Sequence, residues 1–475
     1  MQPFSVEQRS PGGATDTVLP EEGYQRGLSS RQIQMMALGG AIGTGLFYGS
    51  SSVIASIGPS VIACYAVAGV VIYFIMRALG ELLTHRPVSG SFAEHAREFL
   101  GPFAGFVTGW SYWAFWVTAC MSEVTAAGAY INYWWPQIPA WSTAAAALVV
   151  LFTTNLVSVK LFGELEFWFA TIKVVAITAM IVIGVGVLTF GFSSAGEAAS
   201  VSHLWADGGF APHGAWQSMV AMQGVIFAYI GVELVGITAG EAENPKETLR
   251  KAIKTLPVRI GLFYVGALIV LLSIFSWTSY SPGVSPFVQV FAKVGIPGAA
   301  GIMNFVVLTA ALSSCNSGIY STGRMLRGLA LNGEAPKAMG RLSERRLPLP
   351  ALTLSTLIMG IGVIVNMVSP DKAFVYITSV ATCAGMWTWL MILVTHLRFR
   401  SRVRSGTVPA TDFPMPGAPV TTILSIGVLV FVAALMATSD DTRPALYVWA
   451  IWFSALCVAY RIARSRTRLP DSPGA

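Results

Sequence analysis

Three ionisable side chains stand inside long apolar runs of this chain: Glu123, Lys173 and Glu233. A charge at the centre of a bilayer costs at least ~2.5–3.5 kcal/mol on insertion scales, so such residues face a bundle interior and mark ion or substrate paths. Taken out of water, a carboxylate or an ammonium changes its proton affinity, which is the property a proton carrier needs. The plainer alternative for each is a structural ion pair or a hydrogen-bonded neutral form. Glu233 could also simply anchor unwound backbone. Lys173 has no acid three or four residues away on its own helix. Its partner must therefore come from another helix, or it spends part of a cycle neutral.

The backbone offers a second kind of chemistry. Gly39-Gly40-Ala41-Ile42-Gly43-Thr44-Gly45 interrupts the first apolar run with four glycines. Each weakens a helix by roughly 1 kcal/mol against alanine. Lipid cannot hydrogen-bond a bare backbone, so a spanning segment broken here must line a cavity or a site. Close packing of small residues is the competing explanation. A second such break is expected at Phe227-Ala228-Tyr229-Ile230-Gly231-Val232-Glu233-Leu234-Val235-Gly236, five runs later. An odd offset puts the two breaks in segments of opposite direction, as an inverted five-helix repeat requires. That match favours a site over packing. Carbonyls freed near Gly39 and Gly40, with a hydroxyl such as Ser314 beside them, are natural partners for the Lys173 ammonium. A further set of polar side chains, Asn304, Ser313, Ser314, Asn316 and Ser317, shares the eighth run and suits either a site or interhelical hydrogen bonds. Tyr112, Trp113 and Trp116 read as packing, and the five histidines, in loops or at run ends, receive no role.

The elements that must hold these residues are membrane helices. The 475 residues are 54% hydrophobic and 11% charged, against about 25% charged in soluble proteins; the mean hydropathy is +0.64. Long apolar runs, rather than short alternating segments, exclude a β-barrel. Spans are expected near 33–57, 60–79, 102–131, 141–160, 166–190, 216–239, 258–278, 297–325, 350–368, 373–396, 420–437 and 444–461. Residues 1–30 form a polar tail without a signal-peptide core. Residues 31–190 and 216–396 make two five-helix halves, 420–461 two additional helices, and 462–475 a second tail. Short amphipathic segments are expected at 81–101 and 324–340.

With the N-terminus inside, 26 of the 30 Lys and Arg fall in cytoplasmic segments; the exceptions are Lys173, Lys293, Lys372 and Arg443. This asymmetry predicts both termini in the cytoplasm and explains the net charge of +7 without nucleic acid. No Arg is expected at a membrane centre, Arg259 being counted with the flanking basic residues, which disfavours dicarboxylic substrates. The five cysteines form no CxxC pair, so neither a disulfide framework nor a metal site is expected. There is no GxxxxGK[ST] loop, no HExxH and no TVGYG filter, which argues against an ATPase, a metalloprotease and a potassium channel. No nucleophile–base constellation points to an enzyme.

The segments RQIQMMALGGAIGTGLFYGS, GPSVIACYAVAG, MRALGEL, FGELEFWFATIK, FAYIGVELVGITAGEAENP, SPFVQVF, NFVVLTAALSSCNSGIYSTGRML and GLALNGEAPKAM resemble the amino acid permeases of the amino acid–polyamine–organocation superfamily. The bacterial amino acid transporter subfamily fits best, with its D-serine, D-alanine and glycine branch nearest and the asparagine and aromatic branches close behind. The resemblance implies an all-α fold of about 12 spans, a five-plus-five inverted repeat with broken helices 1 and 6. It implies proton-driven uptake of an α-amino acid across the plasma membrane, with no cofactor and no obligatory protein partner. Backbone amides around Ile42, Gly43, Thr44 and Gly45 would hold the substrate carboxylate. Carbonyls near Ala41 and around Phe227, Ala228 and Ile230 would hold the amino group, with Phe227 as an occluding aromatic. Lys173 would stand where related folds bind sodium, with Ser314 beside it, and Glu123 and Glu233 would match positions linked to substrate or proton. Small residues such as Ala41 and Ala228 lean toward a small neutral substrate. An exchanger without net proton coupling, or a sensor that does not translocate, would share the same fold.

Overall fold

The computed structural model describes residue 35 and residues 42–86, 91–157, 159–190, 193–194, 197–238, 245–293 and 298–467. A π-helical turn, Gly45–Gly49, runs into α1 (Ser50–Ile57). Then follow α2 (Val61–His85), α3 (Ser91–Leu100), α4 (Pro102–Asn132), α5 (Ala140–Asn155) and α6 (Val159–Phe190). Next come α7 (Gly214–Val220), α8 (Met222–Phe227), α9 (Leu234–Thr238), α10 (Pro245–Arg259), α11 (Ala267–Ile274), α12 (Pro286–Lys293), α13 (Ala299–Leu331), α14 (Leu349–Val368) and α15 (Pro370–Arg404). Two more helices, α16 (Val420–Met436) and α17 (Arg443–Thr467), close the chain. The strands among the described residues are a two-residue hairpin, Ser193–Ser194 with Glu197–Ala198. The protein is therefore all-helical in architecture.

Among the described residues, seven helical stretches are long and apolar enough to cross a membrane, and α5 and α16 are shorter apolar helices. The twelve expected runs give fewer such stretches for physical reasons. Gly45–His85 is one helical stretch, bent where Gly58 takes φ +62° ahead of Pro59. The sixth run is divided into α7, α8 and α9, each too short to span. Several helices outrun their apolar runs. The 35 residues of α15 extend about 50 Å at 1.5 Å per residue, past a hydrocarbon core of about 30 Å. Arg398, Arg400, Arg402 and Arg404 therefore ride its last turns. In the same way α10 starts thirteen residues before the apolar run it feeds, because PKETLRKAIKTL is a good amphipathic helix. Pro257 lies inside it, and a π-helical segment, Ile260–Gly266, follows. A proline cannot donate its turn's hydrogen bond, which accounts for irregularity here.

The centre of the bundle is α4 against α13, with α15 on another side of α4. Of the most apolar stretch of α13, 78% is buried, against 11% for α17, so α13 is a core helix and α17 a peripheral one. Small residues let the central helices approach. A Cβ on Gly318 of α13 would lie 2.2 Å from Cys120 Sγ of α4, and one on Gly362 of α14 would lie 2.6 Å from Met121 Cβ. The five cysteines are free.

Candidate functional site

The first break reaches the described residues at Ile42. From Gly43 onward the chain turns helical, and Phe47 N–H donates to the Gly43 carbonyl (3.3 Å). A helix start leaves its first amides without intrahelical partners, and Thr44 and Gly45 stand at such a start. Gly39, Gly40 and Ala41 lie outside the described residues. Two side chains converge on Gly43. A Cβ placed there would sit 3.0 Å from Glu123 Oε1 of α4 and 3.4 Å from Ser314 Oγ of α13. Glu123 is buried, and neither its Oε2 nor Thr44 Oγ1 has a hydrogen-bond partner among the described residues. Unpaired buried oxygens are costly in a packed protein; here they stand around the start of a helix.

The second break is residues 228–233, between α8 and α9, where the helix gives way to turns and Gly231 takes φ +95°. It touches the first break directly. A Cβ on Gly45 would lie 2.4 Å from Ala228 Cα, so backbone meets backbone at that point. The Tyr264 hydroxyl donates to the Ala228 carbonyl (3.3 Å) and the Tyr229 hydroxyl to the Tyr65 carbonyl (2.7 Å), with the Tyr229 and Tyr264 rings stacked at 4.7 Å. Ile230 N–H donates to the Phe227 carbonyl (3.1 Å). The Phe227 ring is edge-on to Phe374 (6.1 Å), which is edge-on to Tyr48 (4.7 Å). Three aromatics from the two broken segments and α15 thus form one wall. Glu233 is fully buried; its Oε2 accepts from Trp389 Nε1 of α15 (3.3 Å).

Lys173 of α6 is fully buried beside α13. Its Nζ donates to Ser313 Oγ (2.9 Å), and the Ser313 hydroxyl donates to Glu166 Oε1 (2.6 Å). The hydroxyl on the lysine is therefore Ser313 and not Ser314. One residue along a helix turns the side chain by about 100°, which swings Ser314 toward Gly43 instead. An acid does share the helix of Lys173, but at seven residues rather than three or four. Glu166 and Glu123 both lie close enough for their charges to act on the lysine. The remaining polar groups of α13 divide. Asn304 donates to the Tyr130 carbonyl (2.7 Å), and Asn316 accepts from Asn155 (2.8 Å). Both are interhelical ties.

Residues 32–471 match the amino acid permease family. The chain belongs to that family. It is similar to the uncharacterized amino acid permease YtnA of Bacillus subtilis, 49% identical over 435 residues that cover 92% of this chain and 94% of YtnA. It is 47% identical over 439 residues to the probable threonine/serine transporter YbxG of the same organism, covering 92% and 95% of the two chains. It is 45% identical over 446 residues to the D-serine/D-alanine/glycine transporter of Escherichia coli, covering 93% and 95%. This permease is thus a multi-pass membrane transporter of the amino acid class and not an enzyme.

One side chain of the permease departs from the expectation set by its charge pattern. Arg259 was to flank the seventh span, yet the helical stretch Lys246–Ile274 carries it inside, only 8% exposed. It lines a small cavity with Ile42, Tyr229, Val232, Phe263 and Tyr264. Hydropathy alone places the edge of the span at Val258, because the preceding turns are polar. The continuous helix through Arg259 is what brings this cation beneath both breaks. An arginine buried in the protein therefore lies beside both breaks, where the charge pattern had set it among the flanking basic residues.

Proposed function

We propose that this permease is a proton-coupled symporter that imports a small neutral α-amino acid across the plasma membrane by alternating access. In this reading the chain spans the bilayer twelve times with both termini cytoplasmic. Its first ten spans form a five-plus-five inverted repeat, and α16 and α17 are the two additional helices. The observation that carries the reading is a fully buried lysine, Lys173, on the Ser313 hydroxyl of α13, the helix whose next residue, Ser314, faces Gly43.

The substrate carboxylate binds the amides at Gly43, Thr44 and Gly45, where the helix start supplies N–H groups and a partial positive charge. Ile42 sits at the mouth of that turn. The amino group binds carbonyls near Ala41 and at Phe227, Ala228 and Ile230. The Tyr264 hydroxyl takes one lone pair of the Ala228 carbonyl, and a carbonyl oxygen has two. Phe227, backed by Phe374 and Tyr48, closes over the ligand. Glu123, with one oxygen unpaired and the other at Gly43, senses the occupied site. Glu233 steadies the second break through Trp389. Protonated Lys173 clamps α6 to the centre of the bundle, and its deprotonation releases that clamp, tying proton binding to opening at one side.

Small neutral substrates are supported by the substrates of similar proteins, threonine and serine for one and D-serine, D-alanine and glycine for another. The test is uptake by proteoliposomes with and without an inward proton gradient, with all amino acids of both hands as competitors. Gradient-driven accumulation inhibited by alanine, serine or glycine is expected. Counterflow that ignores the gradient would make the protein an exchanger. Inhibition only by asparagine or aromatic amino acids would move the substrate to those branches.

A further inference from the structure

Glu166 has no place in the scheme above, yet it is a carboxylate with no exposed surface in the middle of a membrane protein. Such a group is retained only where it is paired or used. Its position follows from helix geometry. Seven residues are two turns, so Glu166 and Lys173 share one face of α6 to within about 20°. Helical side chains lean toward the N-terminus, which brings the lysine back toward the acid. The remaining gap is closed by a hydroxyl from α13. Nζ of Lys173 donates to Ser313 Oγ at 2.9 Å, and Ser313 donates to Glu166 Oε1 at 2.6 Å. Every bond in this chain points the same way, from the ammonium to the carboxylate.

We infer that Glu166 is the proton acceptor of Lys173, reached through the Ser313 hydroxyl. The inference rests on the reading of Lys173 as the coupling group. In the step, an N–H bond of the lysine breaks as its proton joins Ser313 Oγ. The original hydroxyl proton leaves for Glu166 Oε1, and a new carboxylic O–H forms. Ammonium and carboxylate become amine and acid; no proton is gained or lost and no co-reactant is needed. The exchange removes two charges from the dry core at once, which lowers the desolvation penalty of the released state. With the N-terminus inside, Glu166 lies two turns nearer the cytoplasm than Lys173, on the side to which the proton must go.

Other polar groups face this pair. From α13, Asn316 and Ser317 lie close to Glu166, whose Oε2 has no hydrogen-bond partner among the described residues. From α4, Glu123 acts on Lys173. Glu123 faces Gly43, so it reports on the substrate site, whereas Glu166 is held by Ser313.

The experiment uses the full-length permease in proteoliposomes and compares wild type, Glu166→Gln, Ser313→Ala, Ser313→Thr and Lys173→Ala. Two readouts are taken: accumulation driven by an inward proton gradient, and counterflow at equal pH. Glu166→Gln and Ser313→Ala should lose gradient-driven accumulation, down to the level seen without a gradient, while counterflow survives. Ser313→Thr keeps the hydroxyl and should accumulate. Ser313→Ala changes no charge, so it decides the matter even if Glu166→Gln does not fold. Accumulation by Ser313→Ala at the wild-type level overturns the relay. Accumulation by Lys173→Ala at the wild-type level overturns the reading beneath it as well.

Discussion

Gly45 and Ala228 touch backbone to backbone, one from each break, with 2.4 Å between the Ala228 Cα and the place a Cβ on Gly45 would occupy. No rotamer change relieves such a clash, because both partners are main chain. Gly45→Ala must therefore push the two breaks apart. Overpacking of this kind costs about 1–3 kcal/mol. The variant should melt at a lower temperature in detergent and lose uptake. Gly186→Ala, on α6 where a Cβ meets nothing within 4 Å, should change neither. Normal uptake by Gly45→Ala would remove the contact between the breaks from the mechanism.

Gly43 tests the carboxylate site. A valine there would run its side chain into Glu123 Oε1 and Ser314 Oγ, which already stand 3.0 and 3.4 Å from the Cβ position. Gly43→Val should reach the membrane and bind no substrate. In the wild type, analogues lacking the α-carboxylate should fail to compete. Competition by such analogues at the substrate's own potency would place the carboxylate elsewhere.

Orientation is tested by thiol labelling in a Cys457→Ser background, the other four cysteines being buried. With both termini cytoplasmic, a cysteine replacing Ser202 should react with an impermeant reagent from outside. A cysteine replacing Glu344 should react only after the inner face is exposed. The opposite pattern contradicts the twelve-span arrangement.

His95 makes a pH prediction outside the spans. It is fully buried on α3, and burial pushes its imidazole down to about 3. The folded protein thus holds it neutral where the unfolded chain, titrating near 6.5, takes a proton. A depressed pKa contributes stability that is complete above the unfolded value and is lost as pH falls from 6.5 toward 3, by up to about 1.4 kcal/mol per pH unit. Melting curves between pH 7.5 and 5 should fall for the wild type and flatten for His95→Leu. Parallel curves would assign the acid sensitivity to other groups.

What the sequence made legible was what depends on composition and local spacing. Apolar runs gave the helices, and glycines gave a second break between α8 and α9. Lys173, Glu123 and Glu233 stood out because a charge is rare in apolar surroundings. What escaped depended on phase between helices. Ser313 and Ser314 are equivalent as letters; only the facing of α13 sends one to Lys173 and the other to Gly43. Glu166 stands two turns from Lys173 rather than one, and a bridging hydroxyl from another helix spans that distance. Arg259 was hidden because a polar amphipathic helix runs without interruption into an apolar one, so the edge in hydropathy is not an edge in structure.

In the proposed mechanism, proton binding at Lys173 drives transport. The direct measurement is a pH jump on proteoliposomes holding purified Lys173→Ala, with substrate accumulation followed against wild type and sodium offered as a substitute ion. The mutant should equilibrate its substrate but never concentrate it, with or without sodium, while the wild type concentrates it on the proton gradient alone. A mutant that reaches the wild-type gradient after the same jump would contradict the account and move the proton to Glu123 or Glu233.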